Sequence, residues 1–149
     1  MKPHIGIVAS RFNSEYVDPL LAHCLHELGT CSTTVVRVPG AFEIPLAVKR
    51  LLKNKKIEAV VALGLIWQGK TAHAGLIGQE VSRTLMDLML EFEKPVIHQV
   101  LSVQNEKQAH ERCIGKRLNR GIEAAHAVRA LLKIPRPSAH GKSKGGLRG

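Results

Sequence analysis

The most distinctive chemical motif in the chain is the segment GLIWQGKT at residues 64–71. It matches the phosphate-loop pattern GxxxxGK[ST], and it lies between a strand-like apolar run and a segment with helical periodicity. Backbone amides and a cation at the start of a helix favour a bound anion. The segment therefore predicts an anion-binding site.

A nucleotide-binding protein is one interpretation of this motif, but the rest of the chain supports it poorly. Nucleoside triphosphatases hold magnesium with a carboxylate, usually an aspartate at the end of a strand. The only aspartates are Asp18 and Asp87, and neither follows an apolar run. Leu65, Ile66 and Trp67 are also bulky for a backbone that must curl around phosphate oxygens. The nucleotide-binding function stays an alternative that the sequence does not favour.

Positive charge is the unusual feature of the composition. The 149 residues include 22 Lys and Arg against 12 Asp and Glu, a net charge of +10. A protein this basic is suited to nucleic acid, to an acidic surface or to phosphorylated small molecules. Residues 135–149 carry Arg136, Lys142, Lys144 and Arg148 with no acidic residue, and their Gly, Ser and Pro content predicts a flexible basic tail. A solvated tail explains this charge better than nucleic-acid binding does.

Several classes of protein are excluded by simple counts. No apolar run approaches the roughly 20 residues that span a bilayer, so no membrane segment is expected. The N-terminal residues lack the apolar segment and cleavage site of a signal peptide. Three cysteines without CxxC spacing predict neither a disulfide framework nor a zinc site. We therefore expect a cytoplasmic protein without a bound metal.

Two patterns of apolar residues alternate along residues 1–134: continuous runs typical of buried strands, and the three-to-four-residue spacing of helices. We expect these residues to form one domain. Continuous apolar runs rich in β-branched residues are typical of strands in a parallel sheet that is covered on both faces. They occur at residues 5–9, 33–38, 57–63 and 96–101.

Segments with helical spacing lie between and after these runs. The first helix is expected to begin with Asp18 as N-cap and Pro19 at its first position, and to end before Gly29. The other four helices are predicted at residues 42–53, 76–91, 105–113 and 119–132. This alternation predicts a three-layer α/β/α sandwich around a four-stranded parallel sheet, a flavodoxin-like fold. Ligands bind such folds beyond the carboxyl ends of the strands. Those ends correspond to residues 10–13, 39–43, 64–73 and 102–105.

Several short segments near these strand ends form a familiar pattern. They are RFN at residues 11–13, VPGAFEIP at 38–45, the run from Gly64 to His73 with its G-x-T-x-H ending, the strand that begins PVI at 95–97, and Glu111-Arg112. In this order and spacing they resemble the lumazine synthase family of riboflavin biosynthesis, over about residues 5–130. VPGAFEIP is the most specific of them.

The resemblance implies a condensing transferase that uses no cofactor. The family joins 5-amino-6-(ribitylamino)uracil to 3,4-dihydroxy-2-butanone 4-phosphate, releases phosphate and water, and forms 6,7-dimethyl-8-ribityllumazine. It also implies a homo-oligomer built from pentamers, with each site shared by two subunits and riboflavin synthase as a possible partner. A non-catalytic basic RNA-binding or structural relative is the second alternative.

The resemblance also assigns roles to individual residues. His73 matches the proton-transfer residue, and Lys70, Thr71 and Arg112 match the phosphate-binding positions. The pyrimidine and ribityl positions correspond to Phe12, Ala41, Phe42, Glu43, Ile66, Trp67, His98 and Arg120. His98, Arg112 and Arg120 are expected to come from the neighbouring subunit.

This chain departs from the family pattern at three positions. Ala74 replaces an aromatic residue that often follows the motif histidine, and His98 replaces another aromatic residue, commonly phenylalanine. Lys70 stands where a small or acidic residue is usual. These departures affect the expected substrate affinity more than the expected reaction class, and they leave the assembly size open.

Overall fold

The computed structural model describes residues 2–69 and 71–137. Lys70 and the tail residues 138–149 lie outside the described residues, so the predictions made for them rest on the sequence alone. The strands are β1 (His4–Ser10), β2 (Ser32–Val38), β3 (Ala59–Trp67) and β4 (Val96–Val103). The α-helices are α1 (Ser14–Leu28), α2 (Ile44–Leu52), α3 (Ala72–Phe92), α4 (Glu106–Cys113) and α5 (Arg120–Leu132), and a short 3₁₀ helix, Ala41–Glu43, precedes α2.

All four strands pair in parallel in the order β2-β1-β3-β4, which confirms the predicted sheet and the α/β fold. Two apolar cores cover the two faces of this sheet. The residues of α1, α4 and α5 pack on one face, and those of α2 and α3 pack on the other. The central strands β1 and β3 are buried almost throughout, because side chains on both of their faces contact helices.

The helical faces agree with the spacing of apolar residues in the sequence. Apolar residues three or four positions apart give α2 one buried face, formed by Ile44, Ala47, Val48, Leu51 and Leu52. In α1 the side chains of Leu20, Cys24 and Leu28 are buried on one face of the helix. The helices α4 and α5 begin after Asn105 and Asn119, whose side-chain oxygens accept hydrogen bonds from backbone amides of the first turn.

The predicted start of the first helix was wrong. α1 begins at Ser14 after Asn13, and Pro19 lies inside the helix, so Asp18 is no N-cap. Asp18 instead forms an ion pair with Arg37 of β2, with 2.7 Å between the carboxylate oxygen and the guanidinium nitrogen. Proline lacks a backbone N–H and is best tolerated in the first turn of a helix. For this reason the sequence predicted that the helix begins at Pro19. The buried Val17 and Leu20 show that packing against the sheet carries the helix through Pro19.

The predicted ends of β3 and α3 also need correction. β3 continues through Trp67 rather than ending at Leu63, and Gly64 pairs with Val100 inside the β3–β4 ladder. A Cβ atom at Gly64 would lie 3.2–3.3 Å from side chains of Ile44, Ser10 and Val100, so this glycine serves close packing rather than a loop. The helix α3 begins at Ala72, four residues earlier than the sequence predicted.

None of the helices in the described part of the chain is long and apolar enough to cross a membrane.

Candidate active site

A large cavity lies at the carboxyl edge of the sheet, where β1 and β3 are neighbours. The chain leaves β1 toward β2 on one side and leaves β3 toward β4 on the other, which makes this edge a topological switch point. The cavity has a volume of about 920 Å³, at the upper end of the range for small-molecule sites. It is lined by Phe12, Asn13, Gly40, Ala41, Phe42, Glu43, Leu65, Ile66, Trp67, Thr71, His73, Ala74 and Ile77. We call it the main cavity.

The turn after β1 is held by backbone hydrogen bonds to the end of β2. The amide of Arg11 donates to the carbonyl of Val38 at 2.7 Å, and the amide of Phe12 donates to that of Pro39 at 2.9 Å. These contacts leave the Phe12 side chain 70% exposed at the main cavity. An exposed aromatic ring on a fixed backbone provides a flat apolar surface for a ligand ring.

The loop after β2 is closed by one of its own side chains. The amide of Gly40 donates to a carboxylate oxygen of Glu43 at 3.0 Å, and the amide of Glu43 donates to the carbonyl of Gly40. This reciprocal pair fixes the 3₁₀ turn Ala41–Glu43 and leaves Phe42 69% exposed. The loop therefore presents its backbone and one aromatic ring to the main cavity.

The N-terminus of α3 forms the third wall. Thr71 is the N-cap residue, and His73 lies exposed in the first turn. His73 makes no hydrogen bond to any residue that the structure describes, so both ring nitrogens can face a ligand. The first amides of a 21-residue helix favour an anion. Gly69 has a φ of 86°, a left-handed conformation that glycine adopts without strain, and this lets the chain turn from β3 into α3.

The geometry of this segment disagrees with a phosphate loop. In the GxxxxGKT motif the residues from Gly64 to Trp67 are extended strand, paired with β4 from Val100 to Val103. They cannot wrap around a triphosphate while they remain in the sheet. The weaker prediction of an anion site is compatible with the N-terminus of α3.

His98, Arg112 and Arg120 do not line the main cavity, although the rest of the predicted site within the described residues does. Arg112 donates a 3.3 Å hydrogen bond to the carbonyl of Ser102 at the end of β4. Arg120 pairs with Glu123 at 2.7 Å. Their role in a site on a neighbouring subunit stays a prediction.

A second, polar groove of about 400 Å³ lies on the other side of the first turns of α3. It is lined by Gln68, Gly75, Gly78, Gln79, Ser82 and Ser102. Because Ala74 and Ile77 face the main cavity, α3 separates the two depressions. Arg112 reaches the polar groove through its contact with Ser102.

His98 is held in one orientation beside this groove. Its Nδ1 accepts a 3.1 Å hydrogen bond from the amide of Val100, so the neutral ring carries its proton on Nε2. Nε2 then donates to the Ser82 hydroxyl at 2.7 Å, and that hydroxyl donates to the carbonyl of Gly78. Partial desolvation of the ring lowers the pKa of His98, which disfavours its charged form.

Five residues line the main cavity but were not assigned to it from the sequence: Asn13, Gly40, Leu65, Ala74 and Ile77. Asn13 stood next to Phe12 in the RFN motif, so its position was a usable signal. Ile77 lies one turn after His73 in α3, beyond the segment 64–73 in which the sequence predicted ligand contacts. The role of Leu65 depends on how far β3 extends, which the apolar run did not indicate.

No cysteine is among the residues that line the main cavity. Cys24 and Cys113 are buried in the core beside α1, and burial raises the pKa of their thiols to about 12 and about 11. Within residues 2–69 and 71–137, no three His, Cys, Asp or Glu side chains are grouped so that they could hold a metal ion.

Comparison with known proteins decides the family. A family model described as 6,7-dimethyl-8-ribityllumazine synthase matches residues 2–136. The chain belongs to the 6,7-dimethyl-8-ribityllumazine synthase family. Proteins of that name from Coxiella burnetii and Aquifex aeolicus are 39% and 42% identical to it, over 135 and 125 residues. These alignments cover 87% and 80% of this chain, and 89% and 81% of the relatives.

A third relative of the same name, from Desulfovibrio desulfuricans, is 36% identical over 135 residues, which is 87% of this chain and 86% of that protein. The matched region includes all four strands and all five helices. Membership in the lumazine synthase family confirms the resemblance on which the residue assignments were based. It does not favour the nucleotide-binding or the RNA-binding alternative.

Proposed function

We propose that this chain condenses 5-amino-6-(D-ribitylamino)uracil with 3,4-dihydroxy-2-butanone 4-phosphate and forms 6,7-dimethyl-8-ribityllumazine. The main support is the composition of the main cavity. It brings two exposed aromatic rings, a short turn and a histidine that makes no hydrogen bond to the described residues to one place at the switch point of the sheet. These groups come from the same segments that carry the family resemblance.

The pyrimidine and its ribityl chain occupy the part of the main cavity between β1 and the loop after β2. Phe12 provides a stacking surface, while Ile66 and Trp67 enclose the ring from the end of β3. Ala41, Phe42 and Glu43 bind the ribityl hydroxyls largely through their backbone. Glu43 has a second task, because its carboxylate closes the turn through Gly40.

The butanone phosphate lies at the N-terminus of α3. Thr71 and the first amides of the helix face its phosphate, and Lys70 adds a cation next to them. Arg112 completes the phosphate site, since its planar guanidinium matches a phosphate dianion.

Arg112 acts from a second copy of this chain. It lies at the polar groove, on the far side of α3 from the main cavity of its own chain. His98 and Arg120 act in the same way, so the complete site forms between two subunits. We propose a pentamer as the basic assembly, and riboflavin synthase remains a possible partner.

His73 moves protons during the reaction. Imine formation between the amine and the ketone, loss of phosphate and ring closure each need a proton to be delivered or removed. An imidazole exchanges protons near neutral pH, and His73 has no competing hydrogen bond from the described residues. Most of the acceleration comes from holding the two substrates together, which is worth about 7–11 kcal/mol in favourable cases.

The proposed function has a direct test. The purified protein is incubated with both substrates, and lumazine formation is followed by its absorbance. Product formation at a rate that requires both substrates is the expected result. Absence of product would contradict the proposal, and micromolar binding of ATP with magnesium in calorimetry would then favour the nucleotide-binding alternative.

The reaction requires only the domain formed by residues 1–134. We propose that residues 135–149 take no part in it, because every assigned site residue precedes them. The cytoplasm is the compartment we propose, in keeping with the sequence prediction.

A further inference from the structure

The side chain of Asn13 lies beside the last residues of β3, where β1 no longer pairs with that strand. The β1–β3 ladder ends with Ala9 opposite Leu63, while β3 continues to Trp67. The carbonyl of Leu65 lies beyond the end of this ladder. The side-chain amide of Asn13 donates a 2.8 Å hydrogen bond to it, so a side chain extends the ladder after the backbone of β1 has turned away.

The other end of the same amide holds the indole of Trp67. The indole Nε1 donates to the side-chain oxygen of Asn13 at 3.1 Å. The Tyr16 ring meets the indole edge to face, with 5.6 Å between ring centroids and 78° between ring planes. Two independent contacts therefore fix the orientation of Trp67 at the wall of the main cavity.

The backbone of Asn13 restricts which residues can replace it. Its φ is 61° and its ψ is 39°, in the left-handed region that Gly, Asn and Asp tolerate best. Its carbonyl accepts the amides of Tyr16 and Val17 and so starts α1. Glycine would keep this backbone but lose both side-chain hydrogen bonds, and aspartate would keep only the acceptor for the indole.

We propose that Asn13 is a positioning residue, which fixes the indole of Trp67 and thereby shapes the wall that receives the flat ring of the pyrimidine substrate. The inference rests on the proposed function of the main cavity. Because the indole N–H already donates to Asn13, Trp67 offers the pyrimidine its ring surface. The butanone phosphate, bound at the N-terminus of α3, does not depend on this wall.

The first test is the variant Asn13→Gly. It should raise the KM for the pyrimidine about three- to tenfold, the effect of losing one or two hydrogen bonds. The KM for the butanone phosphate and kcat should change less than twofold. Asn54→Gly is the matched control, since Asn54 lies in the loop before β3 at the opposite end of the strands. It should leave all three constants unchanged.

The second test separates positioning from a general loss of structure. If Asn13 acts through Trp67, then Asn13→Gly should have little further effect on the pyrimidine KM in a Trp67→Phe background. Additive effects of the two substitutions would overturn the proposal. Asn13→Asp keeps the acceptor for the indole, so its pyrimidine KM should lie between those of the native chain and Asn13→Gly.

Trp67 is the only tryptophan of the chain, so the tryptophan fluorescence of the protein comes from this residue alone. Titration with the pyrimidine should quench its fluorescence in the native chain, and the titration midpoint should move in Asn13→Gly by the same factor as the KM. Should Asn13→Gly fail to fold, Asn13→Asp decides the question by the same readouts. Pyrimidine binding equal to that of the native chain in the variant that folds would overturn the proposal.

Failure of the proposed function is distinguishable from failure of this inference. A native chain that forms no lumazine from its substrates contradicts the proposed function. A native chain that is active, while both Asn13 variants raise the two KM values equally or not at all, contradicts the positioning role alone.

Discussion

His73 stands at the rim of the main cavity, in the first turn of α3. We expect His73→Ala to lower kcat about ten- to a thousandfold, because a positioned general acid or base typically contributes ~10²–10⁴-fold and water replaces part of it. Steady-state kinetics at saturating concentrations of both substrates measure this effect. His26→Ala, an exposed histidine at the end of α1, is the control and should retain full activity. An unchanged kcat in His73→Ala would exclude the proton-transfer role.

Arg112 tests whether the phosphate site is shared between subunits. Arg112→Ala should raise the KM for the butanone phosphate tenfold or more and the KM for the pyrimidine much less, since a hydrogen bond to a charged group is worth about 1.5–3 kcal/mol. Arg117→Ala removes an exposed charge nearby and serves as the control. Mixing Arg112→Ala subunits with His73→Ala subunits should restore part of the activity if the two residues serve one site from different chains. No recovery after reassembly would favour a site within one chain.

The positions of residues along the sequence were enough to predict most of the side chains that line the main cavity. They did not show that Arg112 lies away from that cavity. Phe12, Phe42 and Trp67 follow strands that end at one edge, so parallel topology alone brings them together. The distance between His73 and Arg112 depends on α3 lying between two depressions. Only the family resemblance had indicated that Arg112 belongs to a neighbouring subunit.

At the scale of elements, the contact between α1 and α5 depends on Gly121. A Cβ atom there would lie 2.4 Å from the carbonyl oxygen of Leu20 and 3.0 Å from the amide of Cys24. Alanine usually stabilises a helix relative to glycine by up to about 1 kcal/mol, but here the clash reverses the sign. We expect Gly121→Ala to lower the free energy of unfolding by about 1–3 kcal/mol, the usual cost of overpacking.

The matched control is Gly75→Ala in α3, where the nearest atom to an added Cβ is a side-chain oxygen of Gln68 at 4.0 Å. This change should leave the thermal midpoint unaltered or raise it. Thermal unfolding at one fixed protein concentration compares the two variants, because assembly makes the midpoint depend on concentration. A midpoint for Gly121→Ala at or above that of the native chain would show that the helices move apart without cost.

The elements illustrate where local sequence signals succeed and where they do not. The central strands β1 and β3 were predictable because each is a continuous apolar run between two helix-covered faces. The edge strands β2 and β4 are partly exposed, and their β-branched residues gave the signal. The starts of α1 and α3 were not predictable, because Pro19 and the glycines near residue 75 resemble helix boundaries when only neighbours in sequence are considered. Tertiary packing decides these boundaries, and it extends both helices toward the main cavity.

At the scale of the whole molecule, the residues of the proposed site are divided between two surfaces of the chain, and we therefore propose that one chain alone is incomplete as an enzyme. The main cavity holds His73, while the groove beside Arg112 and His98 lies across α3 and carries only polar side chains and glycines. A second copy that sets its polar groove against the main cavity would bring both halves together. Under this proposal each chain contributes one surface to the site, and oligomerisation would complete it.

The positive charge of the chain is divided between the C-terminal tail and the domain. We expect removal of the tail charges and removal of Lys70 to affect substrate binding differently. Arg136 donates a 2.9 Å hydrogen bond to the carbonyl of Glu93, so the first residues after α5 lie against the domain. Truncation after Pro137 retains this contact and removes Lys142, Lys144 and Arg148. We expect the truncated chain to keep the native KM for both substrates, because it retains every assigned site residue. A large loss of activity would show that the tail contributes to the site.

Lys70 provides the contrasting case, because it adjoins Thr71 at the start of α3. Lys70→Ala should raise the KM for the butanone phosphate about two- to fivefold, because it removes one positive charge that attracts the phosphate dianion. It should also weaken the dependence of that KM on salt, since added salt screens the attraction between Lys70 and the phosphate dianion. The measurement is the KM for the butanone phosphate at low and at physiological ionic strength, in the native chain, in Lys70→Ala and in the truncated chain. A harmful truncation together with a silent Lys70→Ala would place the functional charge in the tail instead of beside α3.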